Sequence, residues 1–209
     1  MAAPNTNPGA PQGLDPQIIA QLHQLTDPLN AQQKSWLGGY LSGLAAQGAP
    51  APAQTELDSD HLLTILYGSQ TGNARSIAEE LNEAAQTEGM ATELISMGKF
   101  KEKNLKKTKN LVVLVSTQGE GDPPDDALNL VDFLNSNKAP KLNDTRFSVC
   151  ALGDSSYEFY CKTGKDFDTR LEELGGTRII DRIDLDVDFD DDAEAWIASS
   201  IATLKELLP

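Results

Sequence analysis

Three stretches of this 209-residue sequence carry residues whose types and spacing could do chemistry, and each follows directly on an apolar run. The first is Gly68-Ser69-Gln70-Thr71-Gly72-Asn73-Ala74-Arg75, placed after Leu62, Leu63, Ile65, Leu66 and Tyr67. Apolar residues then recur at Ala74, Ile77, Ala78, Leu81 and Ala85, the spacing of one helix face. The order reads as a buried strand, a tight hydroxyl- and glycine-rich turn, and a helix opening out of the turn. The first N–H groups of a helix lack intrahelical partners and carry the positive end of its dipole, so small donors packed there make an anion site, most often for phosphate. The stretch has neither the Lys of a P-loop nor the three-glycine spacing of a dinucleotide turn. A Ser/Thr cap with a purely structural role is the competing reading.

The second stretch is Ser116-Thr117-Gln118-Gly119-Glu120-Gly121-Asp122-Pro123-Pro124, and the third is Gly153-Asp154-Ser155-Ser156-Tyr157-Glu158-Phe159-Tyr160-Cys161, after Leu152. Gly119 and Gly121 let backbone approach a flat ring with no Cβ in the way. Tyr157, Phe159 and Tyr160 offer a stacking face, although such a cluster can equally be core. His23 and His61 fall outside all three stretches, and neither a Ser/His/Asp arrangement nor metal-ligand spacing is present. Any chemistry here is therefore expected to belong to a bound ligand.

The elements that must position these stretches alternate along residues 61–209. Strands are expected at Leu62–Tyr67, Met90–Met97, Leu111–Val115, Phe147–Leu152 and Arg178–Ile183. Helices are expected on Ala74–Ala85, on Leu128, Val131 and Leu134 with Asp125 or Asp126 as cap, on Phe167, Leu171 and Leu174 up to Gly175-Gly176, and on Trp196, Ile197, Ile201, Leu204 and Leu208. Five strands alternating with helices predict a doubly wound α/β domain, whose ligands lie beyond the carboxyl ends of the strands. All three stretches start at such ends. Before this domain we expect a disordered tail at 1–13, a short helical hairpin at 14–45 making an oligomer or partner contact, and a linker at 46–60. The lysines between Lys99 and Lys109 are expected to be a solvated face.

A formal charge of −15 argues against nucleic acid, which is held by Lys and Arg. It suits docking on a basic partner, or simple solubility. Two cysteines, Cys150 and Cys161, without framework spacing fit free thiols in the cytoplasm. No apolar run reaches membrane-spanning length, and no membrane role is expected.

Together the motifs SQTGNARSIAEEL, STQGEGDPP and LGDSSYEFYCKTGKDFD resemble the flavodoxin-like FMN domains of the diflavin reductases. Within that group the chain, including its segment LTDPLNAQQKSWLGGYLSGL, is most similar to the flavoproteins of NADPH-dependent sulfite reductases. The resemblance implies a flavodoxin-like five-stranded parallel sheet binding FMN. The phosphate would lie on Ser69, Gln70, Thr71, Gly72, Asn73 and Ala74. The ring would lie between Ser116, Thr117, Gln118 and Gly119 on one side and Leu152, Gly153, Asp154, Ser155, Ser156, Tyr157, Glu158, Phe159, Tyr160 and Cys161 on the other, with Tyr157 stacking. Where the P450 reductase branch has an aromatic residue this chain has Gln118, so Gln118 and backbone are expected to cover one face.

By the same resemblance, electrons come from NADPH through FAD and leave for a haemoprotein subunit that reduces sulfite to sulfide. The FAD and NADPH domains would belong to the full-length chain, of which this sequence is expected to be a piece, with homo-oligomerisation through the N-terminal segment. The acidic residues after the last strand (Asp181, Asp184, Asp186, Asp188, Asp190, Asp191, Asp192 and Glu194), with Glu120, Asp122, Asp125 and Asp126, are expected to ring the flavin edge. Other readings are a freestanding flavodoxin-type shuttle and a flavin-free acidic interaction domain.

Overall fold

Apolar residues alternate along the central strands, and both alternating sets are buried, as a sheet covered on both faces requires. A computed structural model describes residues 60–208. The expected tail at 1–13, hairpin at 14–45 and linker at 46–60 lie outside the described residues, apart from Asp60. The elements run β1 (Leu63–Gly68), α1 (Asn73–Thr87), β2 (Thr92–Ser96), a 3-10 helix (Glu102–Lys107), β3 (Asn110–Ser116), α2 (Leu128–Asn135), β4 (Arg146–Leu152), α3 (Lys162–Glu173), β5 (Thr177–Arg178), β6 (Ile183–Leu185) and α4 (Asp190–Leu207). All strand pairs are parallel, in the order β2-β1-β3-β4-β5, with β6 also on β4.

Leu63, Ile65, Val112, Leu114, Cys150 and Leu152 face one core, packed with α1 and α4. Leu66, Leu111, Val113, Val115, Phe147 and Val149 face the other, packed with α2, α3 and the 3-10 segment through Leu105. The predicted apolar stripe of α1 is buried throughout, at Ala74, Ile77, Ala78, Leu81 and Ala85. The lysines Lys99, Lys101, Lys103, Lys106 and Lys107 are exposed around the 3-10 segment, as a solvated face would be.

Three local expectations are corrected. The fifth strand does not run from Arg178 to Ile183 but divides into β5 and β6, both on β4. Arg178 and Arg182, on either side of the break, both bond the Asp168 carboxylate of α3 at 2.8–3.0 Å, and its side chain is 7% exposed. A buried carboxylate needs such partners, and after Ile179 N–H makes a last bond to Phe147 O at 2.9 Å the chain leaves the ladder until Ile183. On α2 the buried stripe runs through Ala127, Leu130 and Leu134, which turns Leu128 outward to 45% exposure. The N-cap of this helix is Ala127 with no side-chain bond, so neither Asp125 nor Asp126 caps it.

The approach of α3 to β4 is set at Gly164, where an added Cβ would lie 2.2 Å from Ala151 Cβ. We expect Gly164→Ala to destabilise the domain by about 1–3 kcal/mol, the range for overpacking, despite a helix-propensity gain of about 1 kcal/mol. Urea unfolding midpoints measure the difference.

Candidate ligand cleft

The carboxyl ends of β1, β3 and β4 meet where the chain turns to opposite faces of the sheet, and a cleft of about 280 Å³ opens there. One end of it is built by the turn into α1. Gly72 takes φ 102°, a left-handed conformation that favours glycine, and donates its N–H to Ser69 Oγ at 3.0 Å. Ser76 N–H is the first to bond back, to Gly72 O at 2.9 Å, so the N–H groups of Asn73, Ala74 and Arg75 precede the helical ladder. Thr71 and Asn73 line the cleft here. Arg75 is turned to Glu79 at 2.7 Å, so the positive potential at this end comes from the helix terminus.

The second and third loops are stitched to each other. Thr117 N–H donates to Leu152 O at 2.9 Å and Thr163 N–H to Thr117 Oγ1 at 3.1 Å, while Gly153 N–H ties the third loop to β6 through Leu185 O at 3.0 Å. The second loop folds on itself through Gln118 and Asp122, whose N–H and C=O groups bond reciprocally at 2.9 and 2.8 Å. Ser116, Thr117 and Gly119 line one wall; Leu152, Gly153, Asp154, Tyr157, Phe159, Tyr160 and Cys161 line the other. Tyr157 is 60% exposed, a ring with a face open to a ligand. Tyr160 is tied down by its hydroxyl, which donates to Asp184 O at 2.8 Å, and by Lys165 Nζ, 5.1 Å from its ring centroid.

The remaining expected site residues lie beside the cleft without lining it. Ala74 is in the core, Ser69 is half-buried beneath the turn, and Gln70 and Glu158 are exposed. Ser155 N–H is taken by Asp186 at 2.9 Å and Ser156 N–H by Asp154 at 2.9 Å. The Gln118 side chain donates to Pro123 O at 3.1 Å, which turns it back onto its own loop. Gly121 also differs from expectation. Rather than admitting a ring, it lets the two loops touch, since a Cβ there would sit 2.8 Å from both Phe159 Cβ and Lys162 Cδ.

Three titratable groups at or beside the cleft, Cys161, Tyr160 and Asp186, are shifted from their ordinary values. Burial, then the neighbouring Asp184, pushes the Cys161 thiol up to about 12. Burial likewise raises the Tyr160 hydroxyl above its ordinary value. Bonds from Ser155 and Val187 hold the Asp186 carboxyl below the usual carboxylate range. Such groups suit holding a ligand better than moving protons near pH 7. The sequence places Asp126 as a helix cap or in the acidic ring but does not reveal its bonds: it accepts from Ser69 N–H at 3.2 Å and Ser96 Oγ at 3.0 Å. Its partners are 57 and 30 residues away, so no local spacing marks it. The same bonds correct its expected place in the acidic ring.

Fold and cleft together define a flavodoxin-type, flavin-binding class of domain, and the chain belongs to the flavodoxin family, whose model matches residues 65–196. The particular relatives are more specific. The chain is 48% identical over 194 residues to the sulfite reductase (NADPH) flavoprotein alpha-component of Bacillus subtilis, covering 88% of this chain and 32% of that protein. It is 44% identical over 211 residues to the protein of the same name in Vibrio parahaemolyticus, covering 97% and 34%. The chain thus spans about a third of the length of these curated relatives. Among solved structures, a flavodoxin of Streptococcus pneumonia TIGR4 superposes with TM-score 0.63 at 21% identity, covering 69% of this chain and 98% of that one. A variant flavodoxin of Pseudomonas aeruginosa gives 0.61 at 27%, covering 69% and 99%. No helix among the described residues is long and apolar enough to cross a membrane.

Gly121 yields a direct test. Gly121→Ala adds left-handed strain, φ being 99°, to the loop clash. We expect a stability loss of about 1–3 kcal/mol, read by thermal unfolding, with near-ultraviolet dichroism of the Tyr157–Tyr160 loop altered as well.

Proposed function

We propose that the cleft binds FMN and that the domain carries electrons within an NADPH-dependent sulfite reductase. The observation that carries the reading is one continuous cleft joining the N-terminus of α1, with Thr71 and Asn73, to an open tyrosine ring and the Gly119 backbone. The donor set fits a phosphate monoester. Thr71 and Asn73 offer neutral side-chain donors, Ser69 Oγ fixes the turn by accepting from Gly72 N–H, and the helix end adds positive potential without a paired cation. The cofactor would supply one- and two-electron chemistry, which no side chain here provides. The chain's own residues bind and orient. Thr71, Asn73 and the N–H groups at the start of α1 would hold the phosphate, Thr117 and Gly119 would bound one ring face, and Tyr157 would cover the other. The stitched second and third loops keep those walls at a constant separation.

By likeness to the named relatives, electrons would arrive from NADPH through an FAD domain elsewhere in the full-length chain and leave for a haemoprotein subunit that reduces sulfite to sulfide. Segment 14–45 would serve homo-oligomerisation, and the protein would be cytoplasmic, with Cys150 and Cys161 as buried free thiols. The carboxylates expected to ring the flavin edge, with Asp154 and Glu158 of the third loop, divide into two sets. Asp126, Asp154, Asp184 and Asp186 are engaged in internal bonds. Glu120, Asp122, Asp125, Glu158, Asp181, Asp188, Asp190, Asp191, Asp192 and Glu194 are exposed, and these would steer a basic partner.

Titrating the flavin-free protein with FMN tests the reading. Bound-flavin absorption and quenched flavin fluorescence are expected, and a colourless protein that gains neither would overturn it. Tyr157→Ala should weaken FMN binding about tenfold, within the range for one stacked aromatic face. Reduction of a sulfite-reducing haemoprotein by the loaded protein, once its flavin has been reduced photochemically, should slow as salt rises. Joint charge reversal at Asp188, Asp191 and Asp192 should slow it about tenfold at low salt while leaving FMN affinity unchanged.

A further inference from the structure

Asp126 sits in a seam between two strand ends. At β1, a Cβ on Gly68 would lie 2.9 Å from Met97 Sδ and 3.1 Å from Ala127 Cβ; beyond β2, one on Gly98 would lie 3.2 Å from Asp126 Cβ. The start of α2 is thus pressed against the ends of β1 and β2, with Ala127 N–H on Pro124 O at 2.8 Å shaping the approach. In that seam the half-buried Asp126 carboxylate uses one oxygen on Ser69 N–H and the other on Ser96 Oγ. Ser96 Oγ in turn accepts from Gly98 N–H at 3.3 Å. Ser69 then receives Gly72 N–H on its own hydroxyl oxygen. A chain of bonds therefore runs from the end of β2 through Asp126 and Ser69 to the residue that opens α1.

We propose that Asp126 is a positioning residue for the anion-binding turn, holding Ser69 so that its hydroxyl caps Gly72 and the α1 N-terminus faces the phosphate of a bound flavin. The ligand part of this inference rests on the FMN reading above. On charge alone a carboxylate is a poor neighbour for a dianion. Its use here follows from geometry, because it accepts two hydrogen bonds at once, from the turn after β1 and from the end of β2. Charge and geometry are separable. The seam requires an acceptor for Ser69 N–H and a polar group for Ser96, not a negative charge, and an asparagine side chain at this position offers both.

The experiment compares FMN with riboflavin, which lacks the phosphate, in the 209-residue protein and its Asp126→Ala and Asp126→Asn variants. Asp126→Ala should weaken FMN about tenfold and leave riboflavin within about twofold, since only the phosphate end loosens. Asp126→Asn should bind FMN as tightly as the parent or more tightly, having kept the bonds and lost the repulsion. Equal losses for both flavins, or an asparagine variant as weak as the alanine one, would overturn the proposal. Amide exchange at Ser69 in the flavin-free proteins gives a second readout. It should quicken about tenfold in Asp126→Ala and stay slow in Asp126→Asn, and unchanged exchange in the alanine variant would also overturn it. If the parent binds neither flavin, the FMN reading fails while the exchange result still decides the role of Asp126.

Discussion

The cleft depends on the parallel register of β1, β3 and β4. Gly68 pairs with Val115, and Ser116 with Leu152, so the three strands release their chains at one level of the sheet. Because both faces of these strands are buried, the emerging loops have nowhere to go but over the sheet edge, and there they contact one another. The same burial forces α1 to one face and α2 to the other, which opens the crevice between them. Loops on a less rigid base would not keep the anion end and the ring walls at a constant separation.

Electrostatics at the cleft is arranged by backbone more than by side-chain charge. At the candidate anion site this acidic domain offers a helix terminus and neutral donors rather than a dedicated cation. Carboxylates then serve two purposes that composition cannot separate. Those of Asp126, Asp168 and Asp186 are consumed by N–H and guanidinium donors and hold loops in place. Those of Asp188 and Asp191 are exposed and shape the outer field. A single acidic run, Asp181 to Asp192, contains both kinds.

Much of the site is legible in the sequence because its cues are local. A hydroxyl-rich turn between an apolar run and a helical stripe marks a strand-to-helix anion site within some twenty residues, and the α1 stripe is buried at every position its spacing indicates. Gly119, Tyr157 and the other lining residues of the later loops follow from the same kind of cue. What misleads are residues whose partners lie in another loop or depend on how a loop folds. Gln118 could face the cleft or Pro123 O, and the folded loop selects the latter. Gly121 has the composition of a ligand-approach glycine, yet Phe159 and Lys162 from the next loop occupy the space it leaves.

By itself the sequence determined the strand–turn–helix order, the two-faced burial of the sheet and the chemical type of each loop, because periodicity, turn chemistry and helix capping act over a few residues. Only the tertiary structure decided where the fifth strand breaks, which carboxylates are tied and which are free, and that Asp126 anchors the turn into α1. Those outcomes arise from side chains meeting across 10 to 57 residues, as between Asp168 and Arg178 or Ser69 and Asp126. Such meetings are set by packing of the two layers against the sheet, which no short window of residues contains.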